Sequence, residues 1–309
     1  MGVFDVVVIG GSTSGISSAL ALARVMVNTL VVDSGKPCNR YASESHNFLG
    51  YDGVSPASFV SNARTQLEEG YKDYVTFRDG VVQDVKKEEN GLFKVFIGDS
   101  TPVESKKVIF CSGIKDKVAD AGIENLEKFW GKSVIHCPYC HGLENKDKKT
   151  ALLLNDPDMV HHVAPIVVNL ASKLTILTNG GWNKDLTEDH KAFFSKRPNV
   201  NIIDKKVTKL HGEDGQLTQV EFEDASTENV EVMYTHPPYE LNNLDIIKSL
   251  GVALNDLNLI EVSQFQQTNV SGVLAAGDAT TRMRSLAVAN QQGQLAGVAA
   301  ATELRTAEW

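Results

Sequence analysis

Long apolar runs are absent from this sequence: no stretch of its 309 residues approaches the roughly 20 consecutive apolar positions that span a bilayer. A membrane helix is therefore excluded. The opening residues, Met1-Gly2-Val3-Phe4-Asp5, run straight into an apolar strand without the basic stretch, apolar segment and cleavage site of a signal peptide, so a cytoplasmic protein is expected. Positive charge is also in deficit, with 30 Lys and Arg against 39 Asp and Glu and a net charge of -9. Nucleic acid, whose phosphates demand clustered basic residues, is excluded as a partner. Cysteine is scarce as well. Four in a chain of this length build no disulfide framework, and only Cys137 and Cys140 lie close together, which reads as a redox or metal-binding pair in a reducing compartment. The length itself exceeds what one hydrophobic core usually supports, so two domains are expected.

Val6-Val7-Val8-Ile9 is a β-branched run of the kind found in buried parallel strands, and it ends at Gly10-Gly11. Ser12 to Gly15 leads into Ile16 to Ala23, a small-residue-rich segment that reads as a helix. Strand, glycine turn and helix together form a phosphate cradle, because backbone N–H groups and the positive end of the helix dipole face the ligand with no side chain in the way. The pattern Gly10-x-Ser12-x-x-Gly15 carries serine in place of the second glycine. A second strand, Thr29 to Val32, ends in Asp33, where an acid receives ribose hydroxyls. Near the other end of the chain, Val270 to Asp278 reads as a short buried strand closing on a Gly-Asp turn, followed by a long helix from about Ser285 to Leu304. An acid at a strand end beside a helix start can bond the ribityl or diphosphate region of a flavin; alone, it is a routine turn.

Two cysteines separated by two residues bring their sulfurs within disulfide reach when they sit at a helix start, where the dipole also favours a thiolate. The rival reading is half of a zinc site. Zinc needs a second ligand pair, yet Cys38 and Cys111 are isolated, and His136 and His141 flank the pair too closely, so no metal is expected. Cys38 and Cys111 read as inert thiols. His141, next to Cys140, titrates near neutral pH and is a candidate to take the proton of an attacking thiol or to stabilise a departing thiolate; the alternative is an exposed histidine bonded to a backbone carbonyl. Glu144 and His136 are secondary candidates for the same proton traffic.

These residues resemble the low-molecular-weight thioredoxin reductase family and its relatives, including the gliotoxin and holomycin dithiol-oxidase branch. The matching pieces are the Gly10 to Gly15 turn with Asp33, the loop His46-Asn47-Phe48-Leu49-Gly50-Tyr51, the strand end Val108 to Gly113, Cys137-Pro138-Tyr139-Cys140-His141-Gly142, and Gly272 to Asp278 with Arg284. The resemblance implies an α/β fold of two Rossmann-like, three-layer ββα domains. The FAD domain, 1–113 and 236–309, would be split by an inserted pyridine-nucleotide-type domain, 114–235, carrying the cysteine pair. It implies FAD held by Gly10, Gly11, Ser12, Ser14, Gly15, Asp33, Asn47, Gly113, Gly277, Asp278, Arg284 and Ser285. Cys140 would face the flavin C4a, Cys137 would exchange with substrate, and His141 stands where thioredoxin reductases carry an acid. Homodimers are common in the family.

NADPH has no obvious seat in the inserted domain. After the strand Thr150 to Leu154 comes Asn155-Asp156-Pro157-Asp158, with no glycine and two carboxylates that repel a pyrophosphate. After Lys173 to Thr178 comes Asn179-Gly180-Gly181-Trp182, with no arginine for a 2′-phosphate. His161 and His162 read as helix surface or packing. Val81 to Ile97 and Val207 to Val232 read as hairpins around Glu89-Asn90-Gly91 and Glu213-Asp214-Gly215, and Thr235 to Tyr239 as the return linker. The expected activity is FAD-dependent thiol–disulfide exchange with a small-molecule dithiol or disulfide, or a thioredoxin-like protein, with a ferredoxin-type donor as a further possibility. The alternatives are an NADPH-dependent thioredoxin–disulfide reductase and a non-enzymatic redox-sensing flavoprotein.

Overall fold

The structure is a computed structural model describing residues 2–181, 187–307 and 309. Trp182, in the second glycine turn, lies outside the described residues. The chain forms two compact units, one of Met1–Arg40, Val54–Lys115 and Tyr239–Trp309, the other of Tyr41–Gly53 and Asp116–Pro238.

The first unit is built on a seven-stranded sheet. Val75–Asp79, Thr29–Asp33, Phe4–Ile9 and Val103–Phe110 lie side by side in parallel. They are β-branched and fully buried at the centre, as a sheet covered on both faces requires (Val6, Val7, Val8, Leu30, Val31, Val108 and Ile109 all have no exposure). Val103–Phe110 is shared along its other edge. Its first residues, 103 to 105, pair antiparallel with Phe93–Ile97, and its last, 108 to 110, pair parallel with Val273–Ala275. The hairpin expected over 81–97 is present as Val82–Lys87 paired with Phe93–Ile97. Ile9 stands opposite both Val32 and Phe110, so the parallel strands end level and their carboxyl ends open onto one edge, where ligands bind in such sheets.

One face of that sheet is covered by the helices Thr13–Ala23 and Leu286–Ala307, which meet through small residues. A Cβ on Gly293 would lie 2.2 Å from the Ser14 carbonyl oxygen, and one on Gly297 would lie 2.6 Å from that of Ser18. The close approach lets the Ser18 hydroxyl donate to both Ser14 and Gly293 carbonyls at 2.9 Å. The long helix therefore begins and ends within three residues of the expected span.

The second unit carries a five-stranded parallel sheet in the order Val200–Ile203, Lys173–Leu177, Lys149–Leu153, Val232–Thr235, Val134–Ile135. A three-stranded antiparallel sheet, Val207–Glu213, Gln216–Phe222 and Thr227–Asn229, sits beside it and includes the hairpin expected at Asp214-Gly215. The crossings between units fall at 115/116 and 238/239. Tyr41–Gly53, read by sequence as part of the first domain, packs with the second: a Cβ on Gly131 would meet that of Tyr41 at 2.7 Å, and His46 faces Glu144.

Because the glycine contact is with backbone that cannot turn aside, Gly293→Val should cost on the order of 2 kcal/mol of stability. Chemical denaturation of the holoprotein checks this; an unchanged midpoint would show that the two helices do not need to touch there.

Candidate active site

The first unit's strand ends form a backbone-lined cradle. Gly10 takes φ +108°, and a Cβ there would sit 2.4 Å from the Cys111 carbonyl oxygen; on Gly15 it would sit 1.8 Å from the Gly10 oxygen. Ser12 begins the helix with no side-chain cap, so its first N–H groups keep no partner within the helix. Gly11 N–H donates to the Asp33 carboxylate at 3.2 Å, which fixes the acid at the end of its strand. Asp278 lies across the same edge, ion-paired with Arg284 Nε at 3.4 Å, while Ser285 caps the long helix by accepting from Val288 N–H at 3.2 Å. Gly113 takes φ +63° with Asp278 Cβ 3.8 Å from where its own would stand, and Gly277 N–H is held by Gln292. Ser14 points the other way. It is buried against Gly277 and bonds Cys111, because the second residue of a helix that packs on its sheet faces the sheet.

Asn47 belongs to the second unit, where it takes φ +64° in a turn and its N–H donates to Asp52 at 2.7 Å. Cys38 is close at hand instead. Its thiol donates to Asp278 at 3.4 Å, and burial, reinforced by that carboxylate, pushes it up to about 12. Burial likewise pushes Cys111 up to about 11.

In the second unit the edge strand Val134–Ile135 delivers Cys137 to the N-cap of a short helix, Pro138–His141, with proline in its first turn, where a missing N–H costs nothing. Gly142 is glycine for space, since a Cβ would meet the Pro138 carbonyl at 2.2 Å and Leu170 at 2.7 Å. Both sulfurs are half-buried. His141 has its ring buried enough that desolvation lowers its pKa, helped by the neighbouring His46 and opposed by Glu144 and by a hydrogen bond to the Glu44 backbone carbonyl. Its Nε2 is buried and has no partner among the described residues, so the bond to Glu44 runs through Nδ1. A proton donated from Nδ1 to that carbonyl corresponds to the tautomer in which Nε2 carries none. Tyr234, on the adjoining strand, is pushed up by burial and by Cys137 and Glu144. The His136 ring lies by Trp130 and its carbonyl accepts from His236.

The model of the pyridine nucleotide-disulphide oxidoreductases matches residues 4–293. The chain belongs to that family. A thioredoxin reductase of Claviceps purpurea is 30% identical over 98% of this chain and 94% of its own length. A second, from Aspergillus oryzae, is 26% identical over 97% and 96%. Among solved structures, a putative thioredoxin reductase from Bacillus anthracis superposes with a TM-score of 0.91 at 27% identity, covering 99% of this chain and all of the other. The oxidoreductase is thus an FAD-dependent, thioredoxin reductase-like disulfide enzyme built on two Rossmann-type domains.

The cradle fits the FAD that the family implies, since glycines stand where a Cβ would fill it, the helix start is uncapped, and Asp33 is fixed at its strand end. The corresponding turn of the second unit differs. Asp156 caps the helix Pro157–Val167 with its own carboxylate, accepting from Asp158 N–H at 2.9 Å, and His190 holds the Asp158 carboxylate at 3.2 Å. His161 is exposed on the helix surface, its ring tilted against that of His190 and edge-on to that of Phe193. Among the described residues no cluster of metal-ligating side chains occurs, and no helix is long and apolar enough to cross a membrane.

At pH 8 the raised thiols leave only about one part in ten thousand of Cys38 and one in a thousand of Cys111 as thiolate. Iodoacetamide on the reduced holoenzyme, followed by peptide mass spectrometry, should therefore label Cys137 and Cys140 at least a hundredfold faster; equal labelling of Cys38 would show that Asp278 and burial do not suppress it.

Proposed function

We propose that the oxidoreductase closes disulfides in an organic dithiol, using the Cys137–Cys140 pair as the exchange centre and drawing nothing from NADPH. The observation that carries this is the carboxylate of Asp156 on the helix start where a nucleotide diphosphate would dock. An anion-binding terminus already satisfied by an anion, with a second acid beside it, repels another. The surface around the pair supports an apolar substrate. Among the described residues of the second unit, the large hydrophobic side chains that face solvent are Tyr41, Leu49, Tyr51, Tyr139 and Leu143, all on the two segments that carry or flank the pair.

The exchange balances as follows. His141 Nε2 takes the proton of the first substrate thiol, whose sulfur attacks Cys137 of the oxidised pair, forming a mixed disulfide and releasing Cys140 as thiolate. The second substrate thiol loses its proton to solvent and attacks the substrate sulfur of that mixed disulfide, expelling Cys137 as thiolate. The substrate leaves as a disulfide, and two electrons remain on the reduced pair. FAD, when bound, supplies the two-electron sink that returns the pair to its disulfide. A neutral imidazole suits the first step, because a base that is already protonated at working pH cannot accept the proton.

Anaerobic mixing of the holoenzyme with an aromatic dithiol should bleach the flavin band, and mixing with NADPH should leave it intact. Cys137→Ser and Cys140→Ser should each abolish the bleaching while keeping the flavin bound, and His141→Gln should slow it on the order of a hundredfold. Rapid bleaching by NADPH would instead make the enzyme an NADPH-driven reductase, and bleaching by neither reagent would point to a redox-sensing flavoprotein.

A further inference from the structure

The His46 ring lies edge-on to that of His141, with centroids 6.1 Å apart and planes at 87°. Three carboxylates surround it: Asp52 at 3.3 Å from Nδ1, Glu44 at 3.5 Å and Glu144 at 3.6 Å from Nε2. The His46 side chain is only 14% exposed, whereas the acids are open to solvent at 66%, 55% and 37%. The loop holds this arrangement through backbone as well as side chains, since Asp52 also accepts from Asn47 N–H at 2.7 Å and Gly53 N–H donates to Ser45. Glu44 serves twice. Its carboxylate faces His46 while its carbonyl accepts from His141.

Resting on the proposed dithiol exchange, we propose that His46 is a positioning residue: the loop 41–53 sets this carboxylate-ringed imidazole edge-on to His141, where it acts against a second positive charge on that ring. The reasoning is electrostatic. Carboxylates stand at both nitrogens of the His46 ring, and the charge interaction between the two rings disfavours the imidazolium of His141. The groups facing His141 are His46 and the Glu44 carbonyl from the loop, and Glu144 and the adjacent Cys140 from its own segment; Tyr234 faces Cys137 and Glu144. Of these, Glu144 alone is a formal anion near both rings. It pulls His141 towards protonation while lying 3.6 Å from His46 Nε2; burial lowers the His141 pKa first, and His46 adds to it against Glu144.

The test is a histidine titration by NMR on FAD-loaded protein with isotopically labelled imidazoles, with His141 assigned from the spectrum of His141→Asn. Removal of the neighbouring charge in His46→Gln should raise the His141 midpoint by on the order of one pH unit, towards its ordinary value. His46→Lys, which retains a cation, should keep it low. Asp52→Asn, an exposed substitution that leaves both rings in place, should raise it in the same direction and decides the matter should His46→Gln fail to fold. The acid limb of the dithiol-driven bleaching should move up in pH together with the midpoint. An unmoved His141 midpoint in His46→Gln or Asp52→Asn, or a Lys variant behaving like the Gln variant, would overturn the role of His46. Because the titration is read without turnover, a protein inert to dithiols would refute the exchange and leave this measurement standing.

Discussion

A side chain at Gly15 would put its Cβ 1.8 Å from the Gly10 carbonyl oxygen, and that exclusion governs the first unit. It lets the helix start directly above the end of the central strand, which leaves the helix N–H groups exposed at the level where Asp33 and Asp278 arrive from neighbouring strand ends. The same economy of side chains continues along the helix. Gly277, Gly293 and Gly297 each abut Ser14 or Ser18, so the C-terminal helix is drawn against the first helix along its length. A cradle made of backbone is rigid in a way one made of long side chains is not, because no rotamers need to be ordered on binding.

The second unit repeats the fold with a different outcome at the equivalent turn. Its strand Lys149–Leu153 again runs parallel at the centre of a sheet and is again followed by a helix. There the helix start is closed by Asp156, and the segment beyond is tied by the contact of His190 with Asp158. Keeping the strand, helix and loop lengths preserves the platform that positions Val134–Ile135 and hence the cysteine pair. The backbone cradle of the first unit is not repeated there, because Asp156 occupies the helix start with its own carboxylate.

Strand and turn chemistry was legible in the chain because it is local. β-branched runs, the glycine spacing from 10 to 15, the Asn90-Gly91 and Asp214-Gly215 turns and the Cys137-to-Cys140 spacing each signal within a few residues, and each has its counterpart in the structure. What was not legible depends on register or on distant partners. Ser14 looks like a ligand-facing turn residue until the helix phase turns it onto Gly277 and Cys111. The loop 41–53 carries a recognisable motif, but nothing in it says that it packs with the other unit, since the contacts that hold it there involve Gly131 and Glu144, far along the chain. His46 reads in the chain only as the first residue of that loop motif, for the same reason. Its significance lies in Glu144 and His141, which come together with it only in the folded unit.

An imidazole in the position after Cys140 changes what the pair is suited to do. A carboxylic acid there is a proton donor only while protonated, and its anion discourages a neighbouring thiolate. A neutral histidine with its Nδ1 proton committed to the Glu44 carbonyl offers the opposite service, a lone pair for an incoming thiol and, once protonated, a positive charge beside the thiolate that is left. Oxidation of a thiol releases a proton along with electrons, so an imidazole beside the pair supplies the proton acceptor that a disulfide lacks. The burial of Nε2 sharpens that role. Desolvation penalises the imidazolium until a thiolate is present to compensate it, so the base takes its proton as the anion that will neutralise it appears.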